Sequence, residues 1–279
     1  MNRLAEQFLS ELLQDLAKGR LTLPTLPEVA LRVREVVDDE DANLGDIVGV
    51  ITTDAALSAR LVQVANSPLL RGSRAVDSVD MAVSRLGMKL VRDMVVSMAM
   101  QQMFQATSDV TDRKLRAVWE HSTQVAAISH ALASGFTRLS PEQAMLGGLV
   151  HDIGVLPVLV RAEDVPELLE DEAMLDKLIA TAHGPIGKAI LEAWNFPPEL
   201  VAVAEGHEDL QRASEKVDYV DVVTVANLQS YIGTSHPVTQ QDWRTVPAFR
   251  RLGLSPEVNV VEMAETAGNI REVHSILAG

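Results

Sequence analysis

Two side chains able to do chemistry stand next to each other at His151 and Asp152, in the stretch LSPEQAMLGGLVHDIGVLPVLV from Leu139 to Val160. Imidazole and carboxylate are both good ligands for divalent transition metals, and both can take up or release a proton. Ser140 is placed to cap a helix, Pro141 suits its first turn, and Gln143 completes a capping-box pattern. Past the cap, Ala, Met, Leu, Gly, Gly, Leu and Val predict a helix buried nearly all round. Leaving a buried polar group unpaired costs about 2–7 kcal/mol, so His151 and Asp152 need partners from elsewhere in the chain. A metal or catalytic site would supply them; so would a hydrogen-bonded polar network in the core.

The elements that must bring those partners read as helices. Of 279 residues, 47% are hydrophobic and only 4% aromatic, which favours aliphatic helix packing over an aromatic-rich sheet. Leu4, Phe8, Leu9, Leu12, Leu13 and Leu16 mark one helical face, and Gly19 can end that helix. Pro27, Asn43, Asp54 and Ser78 each fit the start of a short helix, with stops at Asn66-Ser67-Pro68 and Gly87. An apolar helix follows from Met88 to about Phe104; Met88, Met94, Met98, Met100 and Met103 read as its core contacts. Residues 105–111 are the best boundary between two lobes, 1–110 and 111–279. Helices are then expected over 112–135 and 139–160, followed by the acidic connector RAEDVPELLEDE. Another runs through Leu178 to a break at His183-Gly184-Pro185, and one opens at Pro197-Pro198. The last three are expected from Ser214 to Gly233, over 243–252 and over 255–277. The fold class is all-α.

Charge and composition exclude several functions. Lys+Arg total 24 against 39 Asp+Glu, a net −15, which opposes nucleic-acid binding by phosphate neutralisation. Lys89, Arg92, Arg113, Lys114 and Arg116 could form a local basic patch, although scattered helix-surface charge is the simpler reading. Arg60, Arg85 and Arg92 invite the same two readings, anion binding or plain surface charge. No run of about 18 uninterrupted apolar residues predicts a membrane span. Zero cysteines exclude disulfides, thiol catalysis and Cys-based zinc sites. A cytoplasmic location is expected.

Ordered motifs then carry a family resemblance. LPTLPEVALRV, ITTDAALSARLVQVANSP and SVDMAVSRLG, with the later phrase RLGLSPE, resemble the HDOD module of bacterial signalling proteins over about Leu21–Lys216. The resemblance implies a helical lobe distinctive of that family followed by a lobe similar to HD-domain metal phosphohydrolases. It places His121 at the first histidine of the HD metal pattern, His151-Asp152 at the adjacent pair, and His183 and His207 at two further ligand positions. It also places Asn227 where the pattern has a distal Asp. Ala117 falls where a bridging Glu is expected, Val155 where a Lys often follows, and Gly206 where a second His would stand. The resemblance therefore implies a degenerate centre able to hold at most one divalent ion (Fe, Mn, Zn or Ni), or reduced to a buried polar network of His151 and Asp152 with His121 or Asn227, and no phosphodiester cleavage. The implied role is a non-catalytic signalling module that binds a partner protein, or a ligand such as a nucleotide second messenger. The alternative is a metal-dependent phosphohydrolase acting on a cyclic dinucleotide or nucleotide. His130, His236 and His274 read as helix surface, loop and tail.

Overall fold

The computed structural model describes residues 3–39, 41–68, 70, 72, 74–104, 108–263 and 266–278. Their regular elements are all helical: α1 (Arg3–Ala17), α2 (Glu28–Asp38), α3 (Leu44–Ile51), α4 (Ala55–Ala65), α5 (Val79–Leu86), α6 (Met88–Gln101), α7 (Asp109–Phe136) and α8 (Pro141–Val150). These are followed by α9 (Val155–Ala162), α10 (Pro166–Glu170), α11 (Glu172–Ala193), α12 (Pro198–Gly206), α13 (Tyr219–Ser230), α14 (Pro247–Leu252) and α15 (Ala267–Ala278). The all-α expectation holds.

The chain divides into two units, and both ends cross over. One unit is Met1–Thr25 with Phe104–Met263; the other is Leu26–Met103 with Ala264–Gly279. The break at 103/104 adjoins the boundary expected at 105–111, of which 105–107 lie outside the described residues. The expected lobes 1–110 and 111–279 differ from these units at the termini. Trp194 Nε1–H donates to Pro24 O at 2.9 Å and α1 packs on α11, which ties the N-terminal helix to the larger unit. Arg60 donates to the carbonyls of Ile276 and Leu277, both at 3.3 Å, and so caps the end of α15 within the smaller one.

In the smaller unit the local signals act as capping rules predict. Asp54 accepts from the amides of Ala56 and Leu57, Ser78 from Met81, and Asn43 forms a full capping box with Asp46. Asn66 does more than end a helix. Its amide bonds both backbone groups of Val76, at 2.7 and 2.8 Å, and so pins the loop that leads to α5. Arg85 holds the carbonyls of Ala65 and Arg74, and Arg92 pairs with Asp93 and Asp38. These guanidiniums are committed to internal partners. Of the five methionines expected in the core, Met94, Met98 and Met100 are buried, while Met88 and Met103 are only half-buried.

The larger unit is built on α7, which packs against α8 and α13, while α11 packs on α12 and α9. The apolar stretch 139–160 is not one helix: it breaks into α8, a turn over 151–154, and α9. Ser140 accepts from Gln143 N–H as expected, and its own proton goes to Glu142. By length and composition Pro141–Ala162 is apolar enough to cross a membrane, but 83% of its most apolar window is buried in the protein. That burial is what a core element requires. Two glycines make the packing possible. A Cβ on Gly148 would lie 2.7 Å from Ala126 Cα on α7, and one on Gly154 would lie 1.9 Å from His183 O on α11.

Tertiary contacts override several local expectations. Helix α11 runs through Pro185 without a break, because Ile186, Ile190 and Leu191 continue its buried face and offset a cost of about 3 kcal/mol for an interior proline. The acidic connector contains the short α10, anchored by buried Leu168. Helix α13 starts at Asp218, which caps it through Asp221 N–H and pairs with Arg212. The helix expected over 255–277 is only α15. Upstream of it the Gln229 amide bonds Val258 O and Val260 N–H, holding that segment non-helical. The one expected over 243–252 is a 3₁₀ turn (Trp243–Thr245) followed by α14.

The Arg251 guanidinium of the RLGLSPE phrase grips buried Asp221 through both carboxylate oxygens, at 2.6 and 2.7 Å, and also bonds Arg212 O. Asp221→Ala strands that guanidinium and is expected to cost about 3–5 kcal/mol in chemical denaturation. Asp221→Leu combined with Arg251→Met should recover most of the loss, since the pair's desolvation penalty goes with it.

Candidate metal centre

Five helical segments of the larger unit deliver one cluster. His121 comes from the middle of α7, His151 and Asp152 from the turn after α8, His183 from α11, His207 from the end of α12, and Asn227 from α13. His151, His183 and His207 are buried, while His121 and Asp152 keep 17% and 18% of their side-chain surface. The structure thus brings together all five candidate ligands.

The orientation of the rings is set by the backbone. Nδ1 of His151 lies 2.6 Å from Gly148 O, Nδ1 of His183 2.9 Å from Ile179 O, and Nδ1 of His207 3.0 Å from Val203 O. A carbonyl oxygen can only accept, so each Nδ1 carries a hydrogen, and Nε2 is the ring atom turned inward. Those Nε2 atoms face a carboxylate. His151 Nε2 is 3.3 Å and His121 Nε2 3.9 Å from Asp152 Oδ2; His207 Nε2 is 3.4 Å and His183 Nε2 3.5 Å from Oδ1. His121 Nε2 and His151 Nε2 are themselves 3.3 Å apart. Nε2 of His183 and of His207 is buried without a hydrogen-bond partner.

Ring nitrogens and carboxylate oxygens this close together need protons or a cation among them. Protonating every ring would create a buried cluster of like charges, and His121 resists it: burial, then the neighbouring His151, lower its pKa to about 4. Burial would raise the Asp152 carboxyl, but His151 and His207 override it and hold the group well below the usual carboxylate range. A divalent cation answers the same need with no proton. The ligand atoms of His121, His151 and Asp152 lie within 4.8 Å of one another, as do those of Asp152, His183 and His207. Opposite ligands on one such ion stand about 4.4 Å apart, given bonds of ~2.0–2.2 Å. The donor set therefore fits a first-row divalent metal, with Asp152 shared between two histidine pairs.

The acid response of the metal-free protein follows. His121 titrates near 6.5 in the unfolded chain and about 4 in the fold, so between those values only the unfolded chain takes up that proton. Asp152 adds stability above its unfolded pKa that is lost as pH falls further. Denaturation midpoints should fall steadily from pH 6.5 to below 4. A flat profile would contradict the buried neutral His121.

The remaining positions are also placed. Asn227 bears on His121, but its Oδ1 is buried without a well-formed hydrogen bond. Val155 is buried in the core, Ala117 is exposed on α7, and Gly206 packs against Val220. His130 is half-buried rather than on the helix surface. Three residues were missed from sequence. Tyr231, the C-cap of α13, stacks on His121 with its Oη 3.4 Å from His121 Nε2. His236, read as a loop residue, stacks on Tyr231. Glu208 reaches within 3.8 Å of His183 Nε2. The i,i+4 spacing of Asn227 and Tyr231 on one helix was the available signal.

The HDOD domain family matches residues 23–210 of this sequence, well over half of it. The chain belongs to the HDOD domain family. A crystal structure from Shewanella amazonensis SB2B, named "Putative metal-dependent phosphohydrolase", is 33% identical. It matches 98% of this HDOD chain and 99% of its own length, with a TM-score of 0.86. An HDOD domain protein of unknown function from Geobacter sulfurreducens is 23% identical over 98% and 97% of the two chains, with a TM-score of 0.67. An uncharacterized curated protein of Treponema pallidum (strain Nichols) is 26% identical over 240 residues, 82% of this chain and 46% of that protein. The chain thus spans under half the length of that relative. Of the expected basic patch, Arg113 and Lys114 pair with Glu172 and Asp176, and Arg116 with Asp112.

Proposed function

We propose that this HDOD chain is a non-catalytic signalling module whose HD-type cluster binds a divalent metal, and whose helical surface recognises a partner protein or ligand in the cytoplasm. The metal half rests on one observation: three histidines with their Nδ1 hydrogens fixed on backbone carbonyls aim their Nε2 atoms at Asp152. When bound, the ion would supply Lewis acidity and a binding point for an oxygen ligand. His121, His151, Asp152, His183 and His207 would hold it. The non-catalytic half rests on the charges around the site. Among the described residues, the groups that act on Asp152 and His121 are histidines, Asn227 and one another, with no lysine or arginine, and Glu208 adds negative charge beside His183. Phosphoryl transfer needs cationic groups to meet the charge spread over the phosphate oxygens.

The second reading, a metal-dependent phosphohydrolase, is favoured by the sharing of Asp152 between two histidine pairs, an arrangement that suits two bridged ions. It is also favoured by the name of the 33%-identical Shewanella protein. Metal analysis of the purified chain, with turnover of cyclic dinucleotides and nucleotides measured in added Mn²⁺ or Fe²⁺, separates the two. Bound metal without turnover is the expected result. Turnover that His151→Ala abolishes would replace the first reading by the second.

A further inference from the structure

We propose that a cleft formed by the turns after α13 and α14 receives an arginine side chain of a partner protein, with Glu257 as its counter-charge and Trp243 as its platform. The inference names the partner chemistry for the recognition half of the reading above and makes no use of the metal. The cleft has a volume of about 400 Å³ and lies wholly within the larger unit. None of the five candidate metal ligands lines it. Ile232 comes from the turn after α13, Trp243 and Arg244 from the 3₁₀ turn, and Pro256 and Glu257 from beyond α14.

The platform is fixed before anything binds. Trp243 Nε1–H donates to Val238 O at 2.9 Å, and the indole lies within 17° of parallel to the buried Phe249 ring, centroids 6.0 Å apart. An aromatic anchor held in this way loses little freedom on binding. Ile232 and Pro256 add apolar wall for the hydrocarbon stem of a long basic side chain.

The charges choose the ligand. Arg244 is committed, its Nε and Nη2 donating to the two oxygens of Asp242 at 2.8 and 3.0 Å. No other cation lines the cleft, so an anion would find no free partner there. Glu257 is exposed and, among the described residues, forms no ion pair. An apolar ligand would strip water from that carboxylate and return nothing. A guanidinium answers both surfaces: its fork matches a carboxylate and its plane lies on an indole face. The net charge of −15 draws basic segments toward the chain.

The test titrates the capped peptide acetyl-Ala-Arg-Ala-amide into the full chain at low salt, read by tryptophan fluorescence and calorimetry. Trp119 and Trp194 are buried and Trp243 is half-buried, so a fluorescence change reports Trp243 and should vanish in Trp243→Phe. The expected result is saturable binding that weakens about fivefold in Glu257→Gln and weakens further as salt rises. The same peptide with glutamine in place of arginine should not bind. Because Glu257 is exposed, Glu257→Gln keeps the fold, which an unchanged unfolding midpoint would verify. The proposal is overturned by an absence of saturable binding, by equal binding of the glutamine peptide, by unchanged affinity in Glu257→Gln, or by a fluorescence change that survives Trp243→Phe. Each of those results leaves the metal centre, which metal analysis tests separately, where it stands.

Discussion

Gly154→Ala should be among the most damaging single-methyl changes available in this protein. The added carbon would sit 1.9 Å from His183 O, 2.5 Å from Gly187 N and 2.8 Å from His183 C, all backbone atoms that cannot swing aside. Relief requires the 151–154 turn or α11 to move. Overpacking ordinarily costs about 1–3 kcal/mol, and a backbone clash of this depth belongs at or beyond the upper end. The same movement separates Asp152 from His183, so metal content should fall along with the denaturation midpoint. Gly135→Ala is the matched control. Gly135 lies in α7 with nothing within 4 Å of the added carbon. Helix propensity should make that change neutral or stabilising by about 0.5–1 kcal/mol. Equal stability of Gly154→Ala and wild type would mean that α11 does not bear on the turn as the structure has it.

Asp152→Ala should abolish metal binding with a smaller effect on the fold. Both carboxylate oxygens face histidine Nε2 atoms, so removing them takes the sole anionic member from both ligand groups. Mutating groups that merely support ligands costs about 10–100-fold in metal affinity, and losing a shared ligand should cost at least the upper figure. Thermal unfolding with and without metal gives the readout. Saturating metal at about 100 times its Kd should stabilise wild type by ~2.7 kcal/mol, and Asp152→Ala should show no such rise. An undiminished rise in the variant would place the ion elsewhere.

The neighbourhood of His151-Asp152 shows why much of this could be read directly. A charged pair in a run of apolar residues has to be partnered, and capping residues such as Asp54, Ser78, Asn43 and Ser140 act through amides two or three positions away. Chemistry that local survives whatever the rest of the chain does. His121, His183 and His207 were named only because ordered motifs resembled a family; spacing alone gave no reason to join His121 to His207, 86 positions further on. Tyr231 escaped notice because nothing about a phenol at the end of a helix shows that its Oη will lie beside His121.

By itself the sequence determined the all-α class, most helix starts and the buried pair at the centre, because caps, periodicity and burial are set by neighbours along the chain. Tertiary structure alone decided where 139–160 breaks, that α11 passes through Pro185, that both termini cross between units, and which way each imidazole points. These depend on backbone surfaces meeting at Gly148 and Gly154, on long-range grips such as Gln229 on Val258 and Val260, and on carbonyls that orient the rings. Contacts between distant segments leave no periodic trace in the string of residues, so they emerge only when the helices are packed.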